Sequence, residues 1–102
     1  MSSANPEVDR GAGIIRSARQ CHSPNQDARP AGCEPRLIVL HGISLPPGQF
    51  GGDAIEQLFT NCLDWDSHPY YDEIRDLEVS AHLLIRRDGE LVQFVPLLER
   101  AW

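Results

Sequence analysis

Four histidines, three cysteines and fifteen carboxylates are the groups in this chain that could hold a metal or move a proton. The histidines are His22, His41, His68 and His82, and the cysteines are Cys21, Cys33 and Cys62. A catalytic zinc takes three protein ligands, and a ligand pair on one helical face sits at i and i+4. No two histidines have that spacing, and no C-x-x-C occurs. His41 is the candidate with a context: it closes the apolar run LIVLH and is followed by the stiff loop GISLPPGQFGG. By itself one imidazole at a strand end reads more simply as a hydrogen-bonded, partly buried side chain than as a ligand.

A second reading comes from the dipeptide His41-Gly42. An apolar strand running into His-Gly is like the loop that supplies oxyanion-hole amides in α/β-hydrolases. That chemistry needs a G-x-S-x-G nucleophile turn, which is absent; Ser44 and Ser80 lie in other contexts. Every basic residue is Arg, so a Lys nucleophile is excluded. The residues alone leave metal ligand, loop-shaping residue and buried polar group open for His41.

The elements that would position these groups belong to one modest domain, since domains cluster at roughly 100 to 150 residues. Hydrophobic residues at 41% and charged residues at 24% are a folded protein's composition. The formal charge is −6, and residues 37 to 102 carry eleven acids against four Arg. An acidic surface repels phosphate, so neither nucleic acid nor an anionic membrane is an expected partner. No signal-peptide core or span of ~18 apolar residues is visible, and the odd, unclustered cysteines suggest no disulfide framework. The cytoplasm is the expected compartment.

Residues 1 to 36 contain four of the eight prolines and read as a loop-rich N-terminal segment; residues 37 to 102 read as the structured part. LIVLH predicts a strand buried on both faces, hence a central one. In GGDAIEQLFTNCLDW, Ile55, Leu58, Phe59, Cys62 and Leu63 fall on one helical stripe, with Asp53 and Glu56 spaced as a capping box. HPYYDEIRDL predicts a short second helix opened by Pro69, with Ile74 and Leu77 facing a core. EVSAHLLIRRDGELVQFVPL predicts a β-hairpin turning tightly at Asp88-Gly89, with Val79, Ala81, Leu83 and Ile85 on one face and His82 on the other. The last residues, Glu99 to Trp102, follow the hairpin without an element to cover the sheet's other face.

Three stretches together, LIVLHGISLPPGQFGG, HPYY and VSAHLLIRRDGELVQFVPLLERAW, resemble the type 2 N-acetylmuramoyl-L-alanine amidases of the peptidoglycan-recognition superfamily. The likeness is to the N-terminal part of the branch that acts on 1,6-anhydro-muropeptides. It runs from about Arg36 to Trp102, with a weaker echo at SPNQDARP. The fold it implies is α/β, a mixed β-sheet with packed helices, here as a partial domain over residues 37 to 102.

The resemblance also implies roles. It makes His41 a Zn2+ ligand, with a second histidine, an aspartate and a catalytic glutamate beyond the stretch matching RAW. No catalytic residue is then expected within this chain, and the 102 residues alone are expected to be inactive. The implied substrate is an anhydro-muropeptide, cleaved between the lactyl group of anhydro-muramic acid and L-alanine during cell-wall recycling. Zinc would lower the pKa of its bound water and polarise the scissile carbonyl. Tyr70 matches an aromatic bordering the substrate cleft, although general grounds favour packing for it. Trp102 matches a Trp at the cleft edge, although a last residue is prone to fray. His82 matches a histidine that supports the site without binding metal. Two departures stand out: Gly42 where the family has Asn, and Glu78 where relatives often have Arg. A non-catalytic muropeptide-binding or regulatory module and an α/β-hydrolase fragment are the alternatives.

Overall fold

The computed structural model describes residues 7 to 102. Its centre is a three-stranded mixed sheet of order β3-β6-β5, where β3 is Arg19–Gln20, β5 is Leu83–Ile85 and β6 is Leu91–Gln93. Strand β6 pairs antiparallel with β5 and parallel with β3. It is the buried strand, with Val92 and the following Phe94 and Val95 at 0 to 1% exposure. The expected mixed sheet is therefore present.

The expected hairpin forms, but with a different turn. Arg86 N donates to Glu90 O and Gly89 N to Arg86 O, leaving a three-residue loop in place of a tight two-residue turn. Gly89 takes the positive φ, +91°, that such a loop needs at its end. Asp88 Oδ1 accepts from Glu90 N at 2.9 Å and holds the corner.

The predicted strict alternation over 79 to 85 also fails, for a local reason. His82 O receives the amides of both Phe94 (2.9 Å) and Val95 (3.4 Å), so two residues oppose one and the ladder slips. The extra residue of this bulge lies on the Phe94–Val95 side, and on the other side only Leu83–Ile85 is strand, so residues 79 to 82 are not held to a strand's alternation. Val79 and Ala81 pack on the core before it, and Leu84 does so after it, while Ile85 is 71% exposed.

Helix α1, Ala54–Phe59, presses Leu58 and Phe59 into the core, and the Phe59 ring meets Phe94 edge-on at 5.0 Å. The predicted stripe is right through Phe59, but Asn61 enters the left-handed region (φ 62°) and ends the helix early. Leu63 is still buried, whereas Cys62 is exposed. The capping box is not formed. Asp53 makes no side-chain cap, and Glu56 turns instead to Arg19 and Arg86. The second helix is a 3-10 helix, Pro69–Ile74, with Pro69 at its start and His68 Nδ1 accepting from Tyr70 N at 3.0 Å. Leu77, expected to face the core, is 44% exposed.

Residues before 36 are woven into these sheets. Strands β1 (Val8–Asp9) and β2 (Ile14–Ile15) pair antiparallel, and β4 (Gln26–Ala28) pairs antiparallel with β7 (Glu99–Ala101). The buried Gln93 amide ties the first hairpin to β6: Oε1 accepts from Ile15 N at 2.9 Å and Nε2 donates to Gly13 O at 2.9 Å. A buried amide with every valence used stabilises one register over others.

The run LIVLH departs most from expectation. Residues 37 to 41 form no strand, and none of the described backbone hydrogen bonds reaches them. Leu37, Ile38, Val39 and Leu40 are 83, 84, 74 and 85% exposed. An apolar run expresses a preference for burial, but a strand also needs neighbouring backbone for its amides and carbonyls. Among the described residues nothing supplies it.

Candidate active site

Immediately after this run the chain turns inward. Ile43 packs against the core and Leu45 is 7% exposed. Ser44 Oγ accepts from Gly48 N at 2.8 Å, closing the loop SLPPG on itself. The loop, α1 and the 3-10 helix enclose a cleft of about 400 Å³. Its walls are apolar, from Leu45, Leu58, Phe59, Ile74 and Val79, and its polar rim comprises His41, Ser44, Tyr70, Ser80 and Trp102.

The structure therefore brings His41, Tyr70 and Trp102 to one place from three distant parts of the sequence. His41 is exposed, and its imidazole makes no hydrogen bond among the described residues. It is thus not the satisfied, partly buried histidine of the plain reading. The neighbouring tyrosines divide: Tyr71 is 4% exposed in the core, while Tyr70 is half-buried on the cleft.

Trp102 is pinned by its backbone, contrary to the expected fraying. Its carbonyl accepts from Ser80 N at 2.7 Å, and its amide reaches Asn25 O at 3.1 Å and Ser80 Oγ at 3.2 Å. The indole remains 46% exposed beside the cleft. Ser80 Oγ donates to Asn25 O at 2.7 Å, so this hydroxyl serves structure and is not free as a nucleophile.

His82 lies outside the cleft. Its Nε2 is 2.8 Å from Glu99 O; a carbonyl only accepts, so Nε2 carries the proton and donates. Arg29 Nη2 adds a bond to Leu97 O at 3.2 Å. Together they fasten the segment leading into β7, and β7 delivers Trp102.

Sequence reasoning missed the supports. Asn25, 1% exposed, exchanges amide bonds with Asn61 at 2.8 and 2.9 Å and donates to Val79 O at 2.9 Å. Asn61 is the helix-ending residue, so this pair joins the end of α1 to the segment that leads into β5 beside the cleft. Local patterns carry no signal for a contact between residues 36 apart. Ser80 had one: its small hydroxyl lies two residues before His82, in the segment that leads into β5.

As to metal, no group of three His, Cys, Asp or Glu gathers among the described residues. One imidazole does not make a zinc site. These residues by themselves do not fit a catalytic zinc, and His41 is the single donor they place on the cleft. No helix among them is long and apolar enough to cross a membrane.

Comparison with known proteins bears on family and fold. Residues 31–102 match the N-acetylmuramoyl-L-alanine amidase family Amidase_2. The chain is 56% identical over 90 residues to the 1,6-anhydro-N-acetylmuramyl-L-alanine amidase AmpD of Salmonella typhimurium (strain SL1344), covering 88% of this chain and 48% of that protein. It is 54% identical over 90 residues to the protein of the same name from Escherichia coli (strain K12), covering 49% of it. Among solved structures, a crystal structure of a Se-Met AmpD derivative superposes with a TM-score of 0.89 at 52% identity, over 94% of this chain and 52% of that one. The solution structure of Citrobacter freundii AmpD matches with a TM-score of 0.56 at the same identity. The α/β-hydrolase alternative is thereby overturned, because fold and family are those of a different hydrolase class. The chain spans about half the length of the curated relatives it matches, and over that span it belongs to the N-acetylmuramoyl-L-alanine amidase family.

Proposed function

We propose that this chain supplies the substrate cleft and one metal donor of a zinc-dependent N-acetylmuramoyl-L-alanine amidase that cleaves anhydro-muropeptides in cell-wall recycling. The observation that carries the reading is the convergence of His41, Tyr70 and Trp102 on one apolar-walled cleft. Relatives at 54 to 56% identity bear the name 1,6-anhydro-N-acetylmuramyl-L-alanine amidase, which supports the same substrate.

The residues divide the work as follows. Tyr70 and Trp102 present aromatic faces on which a sugar ring stacks, and the Leu45, Leu58 and Phe59 wall excludes water from its apolar side. Tyr70 is held by the 3-10 helix start, and Trp102 by Ser80 and Asn25. His82 positions Trp102 through Glu99. His41 offers an imidazole at the rim, and the remaining zinc donors and the catalytic glutamate come from outside these residues. The acidic balance of residues 37 to 102 agrees with a small-molecule substrate, without nucleic acid or membrane as partner. The cytoplasm, where recycling fragments are processed, is the proposed compartment.

The test uses the E. coli relative with its matched 90 residues replaced by those of this chain. The chimera is expected to hydrolyse the anhydro-muramyl-L-alanine bond and to hold one zinc. His41→Ala is expected to remove the metal and lower kcat by at least 10²-fold. Tyr70→Ala and Trp102→Ala raise KM about tenfold each. The 102-residue chain alone is expected to retain no stoichiometric zinc after dialysis and to show no turnover. A folded chimera that hydrolyses equally well with His41→Ala would sink the reading.

A further inference from the structure

One buried amide is bonded to several walls of the cleft without lining it. Asn25 is 1% exposed, and Ser23 beside it is 0% exposed. Asn25 Nδ2 donates to Asn61 Oδ1 at 2.8 Å and to Val79 O at 2.9 Å, with Phe59 O a further acceptor at 3.4 Å. Its Oδ1 accepts from Asn61 Nδ2 at 2.9 Å. On the main chain, Asn25 O accepts from Ser80 Oγ at 2.7 Å and from Trp102 N at 3.1 Å. Asn25 N donates to Ser23 Oγ at 3.0 Å, and that hydroxyl donates in turn to Phe59 O. Phe59, Val79, Ser80 and Trp102 all line the cleft, whereas Asn25 and Ser23 do not.

We propose that Asn25 is a positioning residue for the cleft, setting the spacing of the α1 wall, the wall of Val79 and Ser80, and the edge at Trp102. A planar amide with both hydrogens and its oxygen in use has one orientation. It therefore fixes distances among its partners that apolar packing alone would let slide. Gln93 gives the contrast: it is also 1% exposed and its amide is also in use, but it is bonded to Gly13, Ile15 and Val95, which do not line the cleft. Asn25 lies ahead of residues 31–102, the stretch matched to the family. None of its bonds reaches His41, so it acts on how a substrate is held and leaves the metal donor alone. The effect on substrate rests on the amidase reading; the effect on geometry does not.

The test places three substitutions in the E. coli chimera and in the 102-residue chain. Asn25→Asp keeps size and acceptors but turns a carboxylate towards the carbonyls of Val79 and Phe59. Asn61→Gly removes the partner amide and keeps the left-handed turn (φ 62°) that ends α1, which glycine adopts freely. It carries the comparison should Asn25→Asp fail to fold. Gln93→Glu makes the same amide-to-carboxylate change away from the cleft. In the chimera acting on anhydro-muramyl-L-alanine, Asn25→Asp is expected to raise KM about tenfold and Asn61→Gly about threefold, with kcat within about twofold of wild type. Gln93→Glu should lower the melting temperature while keeping KM within about twofold of wild type. In the chain alone, the amide resonances of Val79, Ser80 and Trp102 should shift in Asn61→Gly, and those of Gly13 and Ile15 should not. Equal rises in KM for Asn25→Asp and Gln93→Glu, or unshifted resonances at Val79, Ser80 and Trp102, would overturn the positioning role. A wild-type chimera without turnover would count against the amidase reading, and the resonances would then decide the role of Asn25 by themselves.

Discussion

Glycines 13 and 32 show how one residue type serves two purposes. Both have positive φ, +70° and +80°. At Gly32 a Cβ would meet nothing within 4 Å, whereas at Gly13 it would lie 2.8 Å from Leu98 N and 2.9 Å from Leu97 N. Left-handed strain costs an L-residue about 1 kcal/mol at either site. The collision at Gly13 is with backbone, which also carries the Leu97 N to Gly13 O bond, so that cost is additional. Gly13→Ala is expected to destabilise by about 3 kcal/mol and Gly32→Ala by about 1 kcal/mol, measured by urea unfolding. Equal losses would mean that the hairpin ending at β2 moves freely against residues 97 and 98.

Between elements, charge takes over the task that apolar packing leaves undone. Glu56 of α1 reaches Arg19 of β3 and, at 2.6 Å, Arg86 after β5, so one carboxylate ties the helix to both edge strands. Its side chain is 14% exposed. Arg19 foremost, then Arg86, hold its pKa below the ordinary carboxylate range against the opposing effect of burial. A depressed folded pKa contributes stability that is complete above the unfolded value and is lost as pH falls through the folded one. Wild-type stability should therefore decline as the pH drops below the ordinary Glu range, and Glu56→Gln should remove part of that slope. At pH 7 the variant is expected to lose about 1.5 kcal/mol. An unchanged acid limb in a pH series of melting curves would show that the network adds nothing.

The molecule as a whole is more extended than its length requires. Its radius of gyration is 14.7 Å and its extents are 46 × 35 × 20 Å, against about 13 Å expected for 100 residues. The exposed LIVL run is the main apolar patch on this flattened body. Net charge of −6 opposes self-association at neutral pH, and that protection vanishes near the isoelectric point of about 5.0. Turbidity is expected to rise as pH is lowered from 7 towards 5, and Val39→Asp should suppress it by breaking the patch and adding charge. Turbidity unaffected by that substitution would place the sticky surface elsewhere.

Helix stripe, hairpin and acidic balance were legible in the chain because each rests on neighbours along it: Leu58 and Phe59 share a helical face, and Gly89 tolerates the corner. The motifs around His41, Tyr70 and Trp102 were legible through family resemblance. That these three share a cleft was not visible in any local pattern, because it depends on contacts between distant residues: Ser80 with Trp102, Asn25 with Asn61, and His82 with Glu99. The bulge at His82 lay outside local patterning for the same reason, since the amides that cause it belong to Phe94 and Val95. LIVLH marks the limit from the other side. Its composition announces a wish to be buried, but burial is a property of what packs against a segment, and side-chain chemistry alone does not specify whether that neighbour is there.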